Sequence, residues 1–252
     1  MTKNSSIDQK ELNKFNKTSK EWWDKSGEFK ILHKINPLRL KYISDKIIEH
    51  FDINKISIKN TNPLANLDII DIGCGGGLVT IPICELGANV TAIDANKHNI
   101  EASSEQAKKL NLKINFVNST VEEYINIFPK NLYDVVLCLE VVEHVANQEE
   151  FIQNLLKLIK PNGILILSTI NRTMKSYAQA IIIAEYTLKW VPINTHNHSK
   201  FLQPSELYNI IKQKDFYLKD LTGLQFNPLT NNWYLSDNID VNYFACIANC
   251  ID

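Results

Sequence analysis

The stretch Ile69-Ile-Asp-Ile-Gly-Cys-Gly-Gly-Gly77 says more about this chain than any other part of its sequence. An apolar run that starts at Leu67 enters a loop almost free of side chains, and a helix-like segment follows at Leu78–Glu85. Glycine lets the backbone turn tightly and lets a ligand approach without a Cβ in the way. The helix behind such a loop presents unpaired N–H groups and the positive end of its dipole. The pattern therefore predicts a strand, a glycine loop and a helix that bind a nucleotide-like cofactor.

Glycine spacing and two acids narrow the type of cofactor. Gly73 and Gly75 match the first two glycines of the dinucleotide pattern G-x-G-x-x-G, but Leu78 stands where the third would be. Asp71 precedes the loop, and Asp94 ends the next β-like run, where a carboxylate can accept hydrogen bonds from both hydroxyls of a ribose. An acid beside the loop suits a cationic group better than a pyrophosphate. S-adenosylmethionine (SAM) has a ribose, an ammonium and a sulfonium but no phosphate, so the pattern resembles the class I SAM-dependent methyltransferases. The alternative is a turn in another kind of α/β protein.

Strand-like and helix-like segments alternate after the loop, which predicts an α/β fold with a Rossmann-like, mostly parallel sheet. The predicted strands are 67–72, 89–94, 113–118, 133–139 and 163–169, then 216–225 and 241–249, with Asn231–Asn238 as the turn of a C-terminal antiparallel hairpin. Helices are expected at Lys10–Trp23 and Pro37–Phe51. We therefore divide the chain into an N-terminal helical extension or lid, residues 1–55, and a methyltransferase domain, residues 56–252, with an insertion at 170–200.

Composition excludes several classes of protein. The 252 residues are 44% hydrophobic and 22% charged with a net charge of −1, which suits one soluble α/β domain and argues against a nucleic-acid partner. The five cysteines form no CxxC pair, so reduced thiols in the cytoplasm are expected. No apolar run has the length of a membrane span or the position of a signal peptide.

The segment before the glycine loop is the most specific part of the sequence. It consists of Trp22-Trp-Asp-Lys-Ser-Gly-Glu-Phe-Lys-Ile-Leu-His33 and Ile35-Asn-Pro-Leu-Arg-Leu-Lys-Tyr-Ile43. Together with Ser168-Thr-Ile-Asn-Arg172 and Asp240-Val-Asn-Tyr243, it closely resembles the ubiquinone-biosynthesis O-methyltransferases. Those enzymes methylate catechol-type polyprenyl intermediates. The resemblance covers nearly the whole chain and implies both O-methylation steps, by in-line transfer from SAM to a catecholate oxygen.

The resemblance also implies residues that contact SAM. They are Arg39, Gly73, Asp94 and Leu139, and the loop pattern itself adds Asp71 and Gly75. Arg39 can hold the methionine carboxylate with its two-pronged guanidinium, although the residue alone would suggest a solvated arginine on a helix surface. Leu139 can offer its backbone or an apolar wall near the adenosine or methionine portion.

A cluster of two acids and a histidine follows the fourth predicted strand at Glu140, Glu143 and His144. If a helical turn begins there, the three side chains share one face and can coordinate a divalent cation, for which oxygen-rich ligands favour Mg²⁺. The resemblance implies such a metal, which would lower the pKa of a catechol hydroxyl from about 10. In methyltransferases without a metal, the glutamates face cofactor or solvent and His144 acts as a helix cap or a base. Both alternatives stay open, with His144 and Glu140 as the catalytic candidates.

The isoprenoid tail of such a substrate predicts peripheral contact with the inner membrane. Within the 170–200 insertion, Tyr177-Ala-Gln-Ala-Ile-Ile-Ile-Ala184 is apolar and is flanked by Lys175, Lys189 and Trp190. This composition suits an interfacial helix or a lid over a substrate channel, and equally a helix buried on the sheet. Other ubiquinone-biosynthesis enzymes are further candidate partners. A methyltransferase of another small phenol and a non-catalytic SAM-binding subunit are the competing functions.

Overall fold

The computed structural model describes residues 21–53, 62–177 and 198–249. Within these ranges an eight-stranded sheet has the order β3-β2-β1-β4-β5-β8-β6-β7. Its strands are β1 (Asp68–Ile72), β2 (Asn89–Asp94), β3 (Asn115–Asn118), β4 (Tyr133–Leu139), β5 (Ile159–Ile170), β6 (Phe216–Asn227), β7 (Asn232–Ser236) and β8 (Asn242–Asn249). The helices are α1 (Lys30–His50), α2 (Thr80–Glu85), α3 (Lys97–Lys109), α4 (Val121–Ile127), α5 (Gln148–Leu156), α6 (Met174–Ser176) and α7 (Pro204–Lys212). Short 3-10 turns lie at Val142–His144 and His198–Lys200.

The first five strands run parallel, as the alternation of the sequence predicts. β1 pairs with both β2 and β4, so the carboxyl ends of these three strands lie side by side. Apolar clusters cover both faces of the sheet, with α1 and α2 on one face and α4, α5 and α7 on the other. Burial on both faces explains why these strands are nearly continuous apolar runs rather than alternating ones. The predicted α/β fold with a mostly parallel sheet is confirmed.

The C-terminal strands are antiparallel, also as predicted, but their connection differs from the prediction. β8 inserts between β5 and β6 and is antiparallel to both. Residues Asn232–Ser236, which we expected to lie within a turn at Asn231–Asn238, form β7 and pair with β6. The reason is that Trp233 and Leu235 alternate along this segment. Their half-buried side chains pack against the core and stabilise an extended strand.

Helix α1 is longer than the predicted Pro37–Phe51, because it begins at Lys30 and continues through Pro37. Proline removes one helical N–H donor, yet the buried side chains on both sides of it fix the helix to the sheet. The ring of Tyr42 stacks on that of Phe244 with 4.7 Å between centroids. The helix therefore belongs to the packed body of the molecule.

Two predictions fall wholly or mostly outside the described ranges. The Lys10–Trp23 helix is described only from residue 21, and the centre of the 170–200 insertion, residues 178–197, is not described. Within the ranges that are described, no helix combines the length and the apolar character needed to cross a bilayer.

Candidate active site

The glycine loop is tied by its backbone to the end of the neighbouring strand β2. The N–H groups of Gly73 and Cys74 donate to the carbonyl of Ile93 at 2.8 and 3.1 Å. The backbone φ is +74° at Gly73 and +53° at Gly75, a conformation that strongly favours glycine. The loop is therefore shaped by its glycines, and its position beside Asp94 follows from β1 pairing with β2.

Asp94 is held in place by three donors at the end of β2. Its Oδ2 accepts from the backbone N–H of Gly75 at 2.9 Å. Its Oδ1 accepts from the backbone N–H of Asn96 at 2.7 Å and from Nδ2 of Asn99 at 3.3 Å. Burial raises the pKa of Asp94, and these three hydrogen bonds oppose that rise. A carboxylate accepts about four hydrogen bonds, so the oriented group keeps capacity for a ligand hydroxyl.

Asp71 is more enclosed than Asp94. The hydroxyl of Thr80, the first residue of α2, donates to its carboxylate at 2.5 Å. Burial raises the pKa of Asp71 to about 6, against the opposing effects of the Thr80 hydrogen bond and the positive charge of Arg39. This carboxylate therefore links β1 to the helix behind the loop and interacts electrostatically with the arginine.

Arg39 is a buried cation with an unused donor. The side chain is 5% exposed, and its Nε has no hydrogen-bond partner among the residues that the structure describes. Its Nη2 lies 3.8 Å from Oε1 of Glu140, which is too long for a hydrogen bond. Because buried guanidinium donors are nearly always paired, this geometry indicates a place for an anionic group. Arg39 is thus not a solvated surface arginine.

Glu140 lies immediately after β4 in a strained backbone conformation. Its φ is +57°, in the left-handed region that costs a non-glycine residue roughly 1–3 kcal/mol. Ser168 on β5 holds it there, because the Ser168 carbonyl accepts from the Glu140 N–H at 3.0 Å and the hydroxyl donates to the carboxylate at 2.7 Å. Such strain is concentrated at functional sites.

Glu143 and His144 lie in the 3-10 turn that follows. Glu143 is 4% exposed; its Oε2 accepts from the Thr169 hydroxyl at 2.8 Å, and its Oε1 has no partner within the described part of the chain. Burial, and then the negative charge of Glu140, raise the pKa of Glu143 to about 7, while His144 opposes the rise. His144 is half-buried beside it.

The arrangement does not support the predicted metal site. Within the described ranges, no three His, Cys, Asp or Glu side chains are grouped so that they could hold a metal ion. The helical face that we expected is not formed, because Glu140 precedes the turn and has a left-handed backbone. Glu140 and Glu143 are instead bonded to hydroxyls of β5. The residues as arranged do not fit a metal, and we derive no step through one.

The structure brings most of the predicted site residues to one edge of the sheet. Asp71, Gly73, Gly75, Asp94, Leu139 and Glu140 lie at or near the carboxyl ends of β1, β2 and β4. Sequence reasoning did not identify Asn99 or Trp22 as parts of this site. Asn99 belongs to no recognised sequence motif, so the sequence gives no signal for it. For Trp22 the available signal is the tryptophan pair at positions 22 and 23, which stands in the most specific part of the sequence.

The fold and the loop define a methyltransferase, since a family model described as a methyltransferase domain matches residues 39–221. A "Ubiquinone biosynthesis O-methyltransferase" of Rickettsia akari (strain Hartford) is 54% identical over 245 residues, which cover 97% of this chain and 93% of the relative. One of the same name from Rickettsia felis is 53% identical over 244 residues, covering 97% and 95%. The chain belongs to the ubiquinone biosynthesis O-methyltransferase family.

Solved structures show the same fold at low sequence identity. The magnesium protoporphyrin IX methyltransferase ChlM of Synechocystis PCC 6803 with bound SAH has a TM-score of 0.66 at 16% identity, covering 94% of this chain and 95% of that one. The plantazolicin methyltransferase BpumL in complex with SAH has a TM-score of 0.55 at 18% identity, covering 96% and 100%. These likenesses support the fold.

Proposed function

We propose that this protein transfers a methyl group from SAM to a hydroxyl of polyprenyl catechol intermediates in ubiquinone biosynthesis, at both O-methylation steps. The observation that carries the proposal is the buried guanidinium of Arg39, whose Nε has no partner among the described residues and which lies near Asp71 and Glu140 at the ends of β1 and β4. We therefore expect one ligand that presents a carboxylate to Arg39 and a ribose to Asp94. The family membership of the chain supports the substrate.

The proposed cofactor lies along the carboxyl ends of β1, β2 and β4. Asp94 accepts from the ribose hydroxyls, and Arg39 pairs with the methionine carboxylate. Gly73 and Gly75 let the cofactor pass close to the backbone, and Leu139 provides an apolar wall. Asp71 balances the charge of Arg39 from the buried side.

The proposed reaction is a direct displacement at the methyl carbon. The catechol oxygen attacks the face opposite sulfur, the carbon–sulfur bond breaks, and its electron pair goes to sulfur to give S-adenosylhomocysteine (SAH). His144 takes the phenolic proton, because a phenol with a pKa of about 10 is a poor nucleophile at neutral pH. Glu140, which borders the site with 34% of its side chain exposed, is positioned to accept from the second catechol hydroxyl. Alignment of the reacting atoms and exclusion of water supply the remaining rate acceleration.

The test is a SAM-dependent assay on a short-chain catechol, with wild type, His144→Ala and His98→Ala. His98 is an exposed histidine on α3 that pairs with Glu101 and serves as the control. We expect His144→Ala to lower kcat by about 100-fold or more with little change in the KM for SAM. Unchanged kcat in His144→Ala would remove its assignment as the base. Turnover of simple phenols but not of catechols would instead indicate another phenol methyltransferase.

The same assay after thorough chelation tests the metal alternative. Retained activity would agree with the observed arrangement of Glu140, Glu143 and His144. Loss of activity that added Mg²⁺ restores would show that the reaction requires a metal and would contradict our conclusion for these three residues.

We further propose that the 170–200 insertion contacts the inner membrane from the cytoplasm. For residues 1–55 we propose a helical extension rather than a lid, because Lys30–His50 form a helix that packs on the sheet and is bonded to β6. Support for the membrane contact comes from the composition of the insertion and from the exposed Met174 and Tyr177 at its start. In liposome flotation, a variant with Ile181, Ile182 and Ile183 changed to Ser is expected to lose binding. Equal flotation of variant and wild type would rule this segment out as the contact.

A further inference from the structure

The indole of Trp22 lies directly on the glycine loop. A Cβ added at Gly76 would come within 2.1 Å of Trp22 Cγ, and one added at Gly75 within 2.7 Å of its Cη2. Both distances are far below any real contact, so the ring fills the space that side chains at these two positions would need. The absence of side chains at Gly75 and Gly76 is therefore required by Trp22 as well as by a cofactor.

The ring is held by contacts on several sides. It stacks on Phe29 with 3.8 Å between centroids and 7° between planes. The Trp22 carbonyl lies 2.9 Å from Nε2 of His33, and the neighbouring Trp23 donates from Nε1 to the Gly76 carbonyl at 2.9 Å. The segment 21–29 is thus packed on the glycine loop and hydrogen-bonded to it.

Trp22 also reaches Asp94 through one intervening side chain. Its Nε1 donates to Oδ1 of Asn99 at 2.9 Å, and Nδ2 of Asn99 donates to Oδ1 of Asp94 at 3.3 Å. An indole N–H can only donate, so the oxygen of the Asn99 amide must face Trp22. The NH₂ group of that amide must then face Asp94. Asn99 is 5% exposed, so the loss of the indole donor would leave a buried oxygen unpaired.

We propose that Trp22 is a positioning residue of the cofactor site. Through Asn99 it fixes the Asp94 carboxylate in the orientation that accepts the ribose, and its ring covers Gly75 and Gly76 and so borders the cofactor's place without occupying it. The inference rests on the proposed function only in taking SAM as the cofactor.

The first test is Trp22→Phe, which keeps an aromatic ring for the Phe29 stack and removes the N–H donor. We expect the Kd for SAH, measured by calorimetry, to rise about ten-fold, the value of one net hydrogen bond. The KM for SAM should rise in parallel while kcat changes little. The control is Trp233→Phe, because Trp233 lies on β7 against Phe226 and away from the loop. An unchanged Kd in Trp22→Phe, or a fall in Tm alone, would overturn the proposal.

The second test asks whether Trp22 acts through Asn99. In a double-mutant cycle with Asn99→Ala, we expect Trp22→Phe to add little further loss of SAH affinity, because the intervening amide is already gone. Fully additive losses would overturn this coupling. Tighter SAH binding by Trp22→Phe would show that the ring occupies the cofactor's own place, which is also contrary to the proposal. A wild-type protein that binds SAH but methylates no catechol would refute the substrate and leave this test intact.

Discussion

At the scale of residues, the two acids of the loop region differ in what surrounds them. Asp94 accepts three hydrogen bonds, two of them from backbone N–H groups, and these oppose the effect of burial on its pKa. Asp71 has the Thr80 hydroxyl and the more distant charge of Arg39. We therefore expect the Asp94 carboxylate to accept hydrogen bonds from the ligand. We expect Asp71 to act mainly through its electrostatic interaction with Arg39.

Replacement of Arg39 by Lys should weaken cofactor binding while preserving the charge. A lysine ammonium cannot reproduce the planar fork that pairs with a carboxylate, so we expect the Kd for SAH to rise about ten- to hundred-fold. Calorimetry measures this directly. The matched control is Arg172→Lys at a half-exposed arginine that pairs with Glu206. Equal effects of both variants would contradict a specific role for Arg39.

Asp71 predicts a pH dependence of stability with a defined sign. Its folded pKa of about 6 lies above the unfolded value of about 3.9. The folded state therefore binds the proton more tightly, and this contribution to stability is complete below about pH 4 and is lost as the pH rises through 6. Asp71→Asn does not titrate, so its free energy of unfolding relative to wild type should rise between pH 4.5 and 6.5 and level off above about 7.

Urea unfolding at a series of pH values measures this difference. Asp45→Asn, at an exposed residue of α1 paired with Lys41, is the control. A relative stability of Asp71→Asn that falls with rising pH would show that Arg39 outweighs burial at this site.

At the scale of elements, the glycine loop and the Trp22 segment form one packed unit. The backbone at Gly76 is not in the left-handed region, and the three atoms nearest to an added Cβ all belong to Trp22, with Cγ at 2.1 Å and Cβ at 2.3 Å. The obstacle to Ala there is therefore the Trp22 side chain. We expect Gly76→Ala to cost about 1–3 kcal/mol of unfolding free energy by overpacking. In a Trp22→Gly background, which removes the Trp22 Cβ as well as the ring, the same change should cost much less, as urea unfolding can measure.

Gly75→Ala is the comparison for this rescue. Its φ of +53° adds a backbone cost of about 1–2 kcal/mol that no change at Trp22 can remove. Removal of the ring should therefore rescue Gly75→Ala only in part. Equal rescue at both positions would contradict the distinction between steric and backbone effects.

The difference between local patterns and long-range contacts explains how much of the site the sequence could predict. Asp71, Gly73 and Asp94 were found because strand ends and glycine spacing are local patterns, and parallel pairing then brings those ends together. The placement of Trp22 on the loop and on Asn99 joins residues 77 positions apart, and no local pattern encodes such a contact. The metal face was predicted from helical spacing, which the left-handed backbone at Glu140 breaks.

Helix α1 is bonded to the C-terminal strands, so the two ends of the described chain are packed together. The hydroxyl of Tyr42 donates to Asp220 on β6 at 2.8 Å, and Lys46 donates to the same carboxylate at 2.8 Å. Arg39 lies one turn before Tyr42 on this helix. The orientation of Arg39, the proposed cofactor-binding arginine, therefore depends on a residue far along the chain.

Asp220→Ala should destabilise the protein by about 1–3 kcal/mol, because the buried Tyr42 hydroxyl loses its acceptor. Thermal unfolding measures the loss, and Asp220→Asn should recover part of it by restoring an acceptor. Asp45→Ala, which breaks only an exposed pair on the same helix, is the control and should change stability by about 0.5 kcal/mol or less. Indistinguishable Tm values for Asp220→Ala and Asp45→Ala would show that this anchor is dispensable.

The anchor at Asp220 also has a consequence for synthesis of the chain. Helix α1 leaves the ribosome early, but Asp220 follows Tyr42 by 178 residues and Phe244 comes later still. A nascent chain that already contains the glycine loop still lacks the strands that hold Arg39 in place. Affinity for SAM should thus arise only as translation ends, and the cofactor would stabilise the finished molecule rather than guide its folding.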